Sequence, residues 1–268
     1  MSIKKRWVTV CLGVGVSLLY PTIASAEHIW VGIMAKGAGF STQGYESQKY
    51  LGDIAQTIKK RWKNGYKVVD LEYGYHRWVG VFAKGTGYTE QGYASNRDYD
   101  KFFTIVKKRR ALGFDLIDVE YGNSKWVGVF SKGTGFTSNI VGNVETIADM
   151  RKMINSQWKK GYFITDIEYG AGEWVVVFSK GTKYTDQATS ITDEWDQFQL
   201  IIKERWKNGY HLTKLEYGFG YWIGVFSKGT GYTDQAYVSA DEYKNFSKTV
   251  QKRWKQGYYL SGLSDGRD

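Results

Sequence analysis

Hydrophobic and polar positions repeat along the chain with a period of 48 residues. In each of five copies a tryptophan opens a short run of β-branched and aromatic residues, which is typical of a strand. These tryptophans are Trp30, Trp78, Trp126, Trp174 and Trp222. Five copies without any change of spacing indicate a tandem-repeat protein.

Later in each copy the apolar residues change to helical spacing. In the fifth copy Tyr243, Phe246, Val250 and Trp254 fall on one stripe of an amphipathic helix. The equivalent stripes are Leu51, Ile54, Ile58 and Trp62; Tyr99, Phe102 and Val106; Ile147, Met150, Ile154 and Trp158; and Trp195, Phe198, Ile202 and Trp206. The second copy departs at its end, where Arg110 replaces the tryptophan. A glycine follows every helix and is expected to end it.

Each copy is therefore predicted to be a ββαβ unit. A Lys-Gly-Thr-Gly turn, residues 228–231 in the last copy, is predicted to join the first two strands as a hairpin. The last strand of one copy and the tryptophan strand of the next form a second hairpin. We expect one domain over residues 27–268, with units at 30–77, 78–125, 126–173, 174–221 and 222–268.

The two ends of this domain favour a closed arrangement. It starts on a tryptophan strand with no strand before it and finishes on a strand, 258–263, with none after it. Pairing the two would remove two exposed sheet edges. The predicted fold is an α+β repeat protein closed as a five-fold α/β propeller, pentein-like in the order of its elements. The alternative is an open solenoid arc, which normally needs polar capping repeats.

The first 26 residues have the features of a secretory signal peptide. Lys4, Lys5 and Arg6 precede an apolar run, and Ala24 and Ala26 are small residues at the positions that a cleavage site requires. The run is short for a membrane anchor, and no second run approaches that length. We expect cleavage after Ala26 and a secreted or periplasmic protein without a transmembrane segment.

Composition adds two constraints to this picture. The net charge of +10 falls to +7 without the predicted signal peptide, which also contains the single cysteine. The exported chain would then have no disulfide and no thiolate ligand. Its stability must come from burial, for which 17% aromatic residues provide ample apolar area. Export, rather than charge, argues against a nucleic-acid partner.

Two segments of the last copy carry a family resemblance. They are Val225-Phe226-Ser227-Lys228-Gly229-Thr230-Gly231-Tyr232-Thr233-Asp234-Gln235 and Arg253-Trp254-Lys255-Gln256-Gly257-Tyr258-Tyr259-Leu260. Copy by copy, the chain resembles the repeats in the C-terminal, non-kinase region of plant casein-kinase-I-like protein kinases. The resemblance implies a shared repeat fold and no activity, and the chain contains no kinase signature.

The repeated turn and the residues beside it are the candidate binding sites. Lysine ammonium groups, threonine hydroxyls and turn amides could bind phosphate, sulfate or a sugar carboxylate, and the aromatic residues suit a sugar ring. The candidates are Lys36, Lys84, Lys132, Lys180 and Lys228; Thr86, Thr134, Thr182 and Thr230; Tyr88, Phe136, Tyr184 and Tyr232; and Gln91, Gln187 and Gln235. The alternative interpretation is purely structural, since glycine-rich turns are ordinary hairpin chemistry.

The carboxylates and histidines are interpreted as structural. A Glu-Tyr-Gly motif recurs at Glu72, Glu120, Glu168 and Glu216, and four equivalent glutamates do not supply the asymmetric acid–base pair of a glycosidase. We expect them to partner the lysines across strands or units. His28, His76 and His211 show no ligand spacing and are predicted to lie on the surface. No metal or cofactor is predicted.

These observations predict an exported, non-enzymatic binding scaffold. It would be lectin-like, with several equivalent weak sites for a glycan or an anionic envelope polymer. The alternative is a protein–protein interaction scaffold in the cell envelope that uses its basic helices. A hydrolase is the third possibility, with its site in the third copy, where Ser138, Asn139 and Ile140 break the pattern.

Overall fold

A computed structural model describes residues 27–268, so the predicted signal peptide lies outside the described residues. These residues form fifteen strands and five helices. The strands are β1 (His28–Lys36), β2 (Thr42–Gln48), β3 (Lys67–Gly74), β4 (Arg77–Lys84), β5 (Gln91–Asn96), β6 (Asp115–Gly122), β7 (Lys125–Ser131), β8 (Ser138–Val144), β9 (Phe163–Gly170), β10 (Glu173–Lys180), β11 (Asp186–Thr192), β12 (His211–Gly218), β13 (Tyr221–Lys228), β14 (Asp234–Ala240) and β15 (Tyr259–Arg267). The helices are α1 (Leu51–Lys63), α2 (Tyr99–Ala111), α3 (Ile147–Lys159), α4 (Trp195–Lys207) and α5 (Tyr243–Trp254).

The strands form five similar three-stranded antiparallel sheets, each with a tryptophan strand in the middle. Their strand orders are β2-β4-β3, β5-β7-β6, β8-β10-β9, β11-β13-β12 and β14-β1-β15. The fifth sheet joins the two ends of the domain, because β1 pairs with both β14 and β15. The predicted pairing of the first and last strands is thus confirmed, and so is the hairpin between one copy and the next.

The predicted hairpin across the Lys-Gly-Thr-Gly turn is wrong. Strand β13 ends at Lys228 and pairs with β11 and β12, whereas β14 pairs with β1 in another sheet. The turn therefore carries the chain from the middle of one sheet to the edge strand of the next. Gly229 and Gly231 have φ of 75° and 80°. A crossing between sheets needs this left-handed backbone as much as a hairpin does, so the glycines could not distinguish the two.

Each helix packs its predicted apolar stripe on one sheet. The stripe's central residues are buried in every helix: Ile54 and Ile58, Phe102 and Val106, Met150 and Ile154, Phe198 and Ile202, and Phe246 and Val250. The five strand tryptophans are at most 1% exposed. Full burial of such large apolar side chains supplies much of the stability of residues 27–268, which contain no cysteine.

The third strands of the sheets, which we call the inner strands, pack against one another. They are β3, β6, β9, β12 and β15, which contact in that order, and β15 also packs on β3. In three of the Glu-Tyr-Gly motifs the glycine lies against the tyrosine of the preceding copy, as Gly122 does against Tyr73. A Cβ atom on that glycine would collide with the tyrosine, and on Gly74 it would collide with Asp265. The motif thus ends in glycine because a neighbouring unit fills the space.

The hairpin turns between inner and middle strands provide a stability prediction. Tyr75 and His76 have φ of 42° and 62°, a left-handed conformation that glycine adopts at the second turn position in two other copies. We expect His76→Gly to raise the free energy of unfolding by about 0.5–1 kcal/mol, because an L residue is strained there. Chemical denaturation measures it. The reverse change, Gly172→Ser, should lower the free energy of unfolding. Equal effects of both changes would contradict backbone strain as the cause.

Candidate functional site

The five turn lysines lie over aromatic rings of their own sheets. Each Nζ atom is 4.4–4.8 Å from the ring centre of the aromatic residue that follows a helix. The pairs are Lys36 with Tyr258, Lys84 with Tyr66, Lys132 with Phe114, Lys180 with Tyr162 and Lys228 with Tyr210. Lys36 and Lys132 also contact Asp234 and Glu90. These lysines therefore stabilise the fold by cation–π contacts.

The turn threonines also have a structural use. The hydroxyl oxygens of Thr86, Thr134 and Thr230 accept a hydrogen bond from the amide two residues later, at 3.1–3.2 Å. Thr182 precedes Lys183, which replaces the second glycine of the turn, and its buried hydroxyl has no hydrogen-bond partner in the described chain.

The candidate glutamines form hydrogen bonds between neighbouring units. The amide of Gln187 contacts the Trp158 indole N–H, both backbone groups of Ile164 and the hydroxyl of Ser227, at 2.7–3.0 Å. Gln91 makes the same four contacts in its unit, and Gln235 makes three. These amides therefore connect neighbouring units, and ligand binding by Gln91, Gln187 and Gln235 stays a prediction.

The same contact explains the divergence of the third copy. Asn139 occupies the glutamine position and bonds both backbone groups of Leu116 and the hydroxyl of Ser179. The indole that a glutamine would accept from is absent, because Arg110 replaces that tryptophan. A shorter amide is sufficient for the three remaining partners. This departure from the pattern therefore compensates Arg110 and needs no catalytic explanation.

The aromatic candidates are half-buried. Burial raises the pKa of Tyr88 to about 12 and also raises the pKa of Tyr184 and Tyr232. Phe136, in the third copy, is equally half-buried. The Tyr184 ring packs edge-on against Phe163, and Tyr232 lies 5.6 Å from the His211 ring.

The inner strands bring a second set of groups together, which we call the axial cluster. Its first layer is Asp70, Asp118, Asp166 and Lys214, one from each of four inner strands, with Gly262 at the fifth equivalent position. The Lys214 ammonium lies 2.8 Å from Asp166, 3.1 Å from Asp70 and 3.9 Å from Asp118. All three aspartates are at most 5% exposed.

The second layer of the cluster is formed by the four motif glutamates, two residues further along each strand. Ser264 holds the fifth position. Glu120 accepts a hydrogen bond of 3.0 Å from the amide of Tyr73, and Glu168 and Glu72 do the same for Tyr121 and Asp265. The glutamates therefore connect neighbouring units, as predicted. They do so through backbone amides, and the expectation that the lysines are their partners is wrong.

Burial controls the ionisation of this cluster. Glu72, Glu120, Glu168 and Glu216 are 4–7% exposed, and burial with mutual repulsion raises the pKa of each well above its usual value. Burial also lowers the pKa of Lys214, but the three aspartates outweigh it and hold the net pKa well above the ordinary value. The glutamate layer is thus poised to carry protons, and the aspartate layer holds a fixed ammonium ion.

A funnel leads from the surface to the glutamate layer. It has a volume of about 240 Å³ and is lined by the four glutamates, the four motif tyrosines and the segment around His28 and Asp265. A smaller cavity of about 10 Å³ lies between the glutamate and aspartate layers. Around it Asp70 Oδ2 and Asp118 Oδ1 are buried without a hydrogen-bond partner among the described residues. Buried polar atoms without partners are rare in folded proteins and call for an explanation.

The histidine prediction needs two corrections. His28 contacts Asp265 and is only partly exposed, and its ring centre lies 4.6 Å from that of Tyr75 with the rings tilted. It stands 48 residues before His76, so the two share one repeat position. His211 is half-buried and its Nδ1 lies 2.8 Å from the Thr230 hydroxyl. Only His76 is exposed as predicted. Burial raises the pKa of Asp265 to about 6, although His28 opposes the shift.

The glutamate ring gives a pH prediction. Because the folded-state pKa of Glu120 is above its unfolded value, its contribution to stability is complete below pH 4.5 and is lost as the pH rises towards the folded pKa. We expect Glu120→Gln to flatten the decline of stability above pH 5 by up to about 1.4 kcal/mol per pH unit. Urea unfolding between pH 5 and 8 measures the slope. The exposed control Glu90→Gln should leave it unchanged, and an unchanged slope in Glu120→Gln would contradict the raised pKa.

Comparison with known proteins places the chain in a family. No curated protein matches the sequence. Among the described residues, no helix is long and apolar enough to cross a membrane, and no group of three or more acidic, histidine or cysteine side chains is arranged to hold a metal ion. A family model described as a domain of unknown function, DUF7477, matches residues 7–146 and 143–268, which is nearly the whole chain. The chain therefore belongs to the DUF7477 family.

Proposed function

We propose that the protein is a non-enzymatic binding scaffold whose main ligand site is the axial funnel. In this proposal the five sheets close into a five-fold α/β propeller with pentein-like element order. The pairing of β1 with β14 and β15 and the packing of β15 on β3 support closure. A repeat fold shared with the C-terminal region of plant casein-kinase-I-like kinases is part of the same proposal.

The observation that carries the proposal is the burial of four glutamates at the base of an open funnel. Burying a carboxyl group costs free energy, and apolar residues at these positions would make a more stable centre. Carboxyl groups with a strongly perturbed pKa that line a cavity are candidates for a functional site. A ligand that complements them would recover part of this cost.

Binding is better supported than catalysis at this site. Catalysis by proton transfer needs a base that is free to accept a proton, and Lys214 is held as an ammonium ion by three aspartates. At least three of the glutamates already accept a backbone amide. The cluster does contain asymmetry, since Lys214, Gly262 and Ser264 break the repeat, and that asymmetry would give a ligand one preferred orientation.

A lectin-like function of the turn face has less support than the funnel. The turn lysines and glutamines are engaged in contacts within the fold, and the hydroxyls of Thr86, Thr134 and Thr230 already accept hydrogen bonds from turn amides. A protein-interaction function is favoured by one observation, the exposure of Tyr75 and Phe219 at hairpin tips, 67% and 71%. Export to the periplasm or medium remains the proposed location.

A ligand screen sorted by charge tests the proposal. Thermal shifts are measured with small organic cations, neutral sugars and anions on the wild type, on Glu120→Gln and on Lys84→Ala. We expect ligands whose stabilising effect is lost in Glu120→Gln and kept in Lys84→Ala. Ligands that depend on Lys84 instead, or no shift with any compound, would reject the funnel as the main site.

A further inference from the structure

We infer that the axial funnel recognises a primary ammonium group, an inference that rests on the proposed binding function and names its ligand class. The aspartate layer of the axial cluster already shows how this chain binds such a group. There, Lys214 presents its ammonium to three aspartates from three different inner strands, with Nζ–O distances of 2.8, 3.1 and 3.9 Å. The arrangement is an internal ammonium site.

The glutamate layer repeats this arrangement without a cation of its own. It lies two residues along each strand, roughly 7 Å from the aspartate layer at about 3.3 Å per residue. Four strands contribute a carboxyl group there and the fifth contributes Ser264. Each of the three donor hydrogens of an ammonium could meet a carboxyl oxygen there. One layer below, the Lys214 ammonium is within hydrogen-bond distance of Asp166 and Asp70 and forms a longer ion pair with Asp118.

Polar atoms without partners indicate that the cluster is incomplete as it stands. The hydroxyl of Ser264, which is fully buried, has no hydrogen-bond partner among the described residues. The same holds for Asp70 Oδ2 and Asp118 Oδ1, both beside the small cavity between the layers. An ammonium in the glutamate layer would supply donors and positive charge where these acceptors are concentrated.

The funnel suits a small amine. Its volume of about 240 Å³ has room for a few carbon atoms behind the ammonium group, and the four motif tyrosines along its wall provide aromatic surface for them. An anion would meet the acidic layers. A quaternary ammonium would fill the space but donate no hydrogen bond to the carboxyl oxygens.

Binding should release a proton. A glutamic acid of the ring loses its proton to the solvent when the ligand's positive charge arrives, leaving a carboxylate paired with the ammonium. The groups that face this exchange are Glu72, Glu120, Glu168 and Glu216, with three aspartates and Lys214 below them and His28, Asp265 and Arg267 at the mouth. Affinity should therefore rise with pH, by up to about tenfold per pH unit where one full proton is released.

Isothermal titration calorimetry at pH 6 and pH 8 tests the inference, with each titration repeated in two buffers of different ionisation enthalpy to count protons. The probes are putrescine for an aliphatic amine and glucosamine for an amino sugar. The controls are 1,4-butanediol, glucose and tetramethylammonium. We expect an amine to bind with proton release and more tightly at pH 8, and the tighter amine identifies the source of the ammonium group.

Matched variants assign the binding to the glutamate layer. Glu120→Gln keeps an oxygen for the Tyr73 amide but cannot ionise, and it should weaken amine binding at least about tenfold, as removal of a charge-assisted contact does. Glu90→Gln, an exposed change of the same kind, should have no effect. Circular dichroism checks that both variants are folded.

Two results separate this inference from the proposed function. Tight binding of glucose or of an anion that Glu120→Gln abolishes would keep the funnel as the binding site and overturn the ammonium specificity. Amine binding that is independent of pH and equal in Glu120→Gln and Glu90→Gln would overturn the inference as well, because the amine would then bind elsewhere.

Discussion

Lys214→Met is expected to destabilise the protein by about 3–5 kcal/mol near neutral pH, the usual cost of removing one partner from a buried ion cluster. Asp70, Asp118 and Asp166 surround the ammonium and are at most 5% exposed. Without it, their charges repel one another in a region with little water. Chemical denaturation at pH 7 measures the loss.

Acidification and a surface variant provide the controls for this prediction. Burial raises the pKa of Asp118 and Asp166, so the loss should shrink as the pH falls and these groups protonate. Lys152→Met removes a lysine whose side chain is 78% exposed and should stay within about 0.5 kcal/mol of the wild type. A loss in Lys214→Met as small as that of Lys152→Met would show that the ammonium does not hold the layer together.

Gln43→Leu and Gln235→Leu are expected to destabilise the protein equally, each by about 2–4 kcal/mol. Gln235 accepts from the Trp206 indole and the Leu212 amide and donates to the Leu212 carbonyl. Gln43 makes the same three contacts with Trp254 and Leu260, more than 200 residues away. Each substitution leaves buried donors and an acceptor without partners, which costs about 1–3 kcal/mol per group before relaxation.

The comparison of these two variants tests closure, because Gln235 joins consecutive units and Gln43 joins the last unit to the first. In an open arc the Gln43 contacts would not exist, and its replacement would resemble that of an exposed glutamine such as Gln56. A large loss in Gln235→Leu with none in Gln43→Leu would therefore contradict the proposed closure into a propeller.

The sequence predicted the elements well, because they depend on local spacing. The tryptophan runs, the helical stripes and the glycine after each helix each satisfy a rule within one unit. The pairing of β1 with β15 was predictable because unpaired edges are unfavourable. The crossing at Lys228–Gly231 was not, since which strand the chain joins after a turn is decided by packing between units.

The axial cluster was largely missed for a related reason. The glutamates were visible as a repeat, but nothing local shows that Glu120 and Asp118 face the same interior as Lys214 from another copy. One signal was available. An aspartate stands two residues before the glutamate in three copies and a lysine replaces it in the fourth. On a strand, residues two apart share one face, so the series Asp, Asp, Asp, Lys marks a charged layer.

His28 and the third copy were interpreted wrongly because their partners lie in other copies. His28 appeared to be a surface residue because its partner, Asp265, is at the other end of the domain. The replacements at Arg110 and Asn139 appeared unrelated because they lie in different copies, although they belong to one contact position. In both cases the missing information was which copies are neighbours in space.

The most direct test of the functional proposal is nuclear magnetic resonance of protein labelled with ¹³C at the glutamate carboxyl carbon, titrated from pH 3 to 9. The predicted result is four carboxyl resonances with pKa well above 4.5, those of Glu72, Glu120, Glu168 and Glu216, which shift when putrescine is added at pH 7. Titration of every glutamate near 4.5, with no change on addition of the amine, would contradict the axial site.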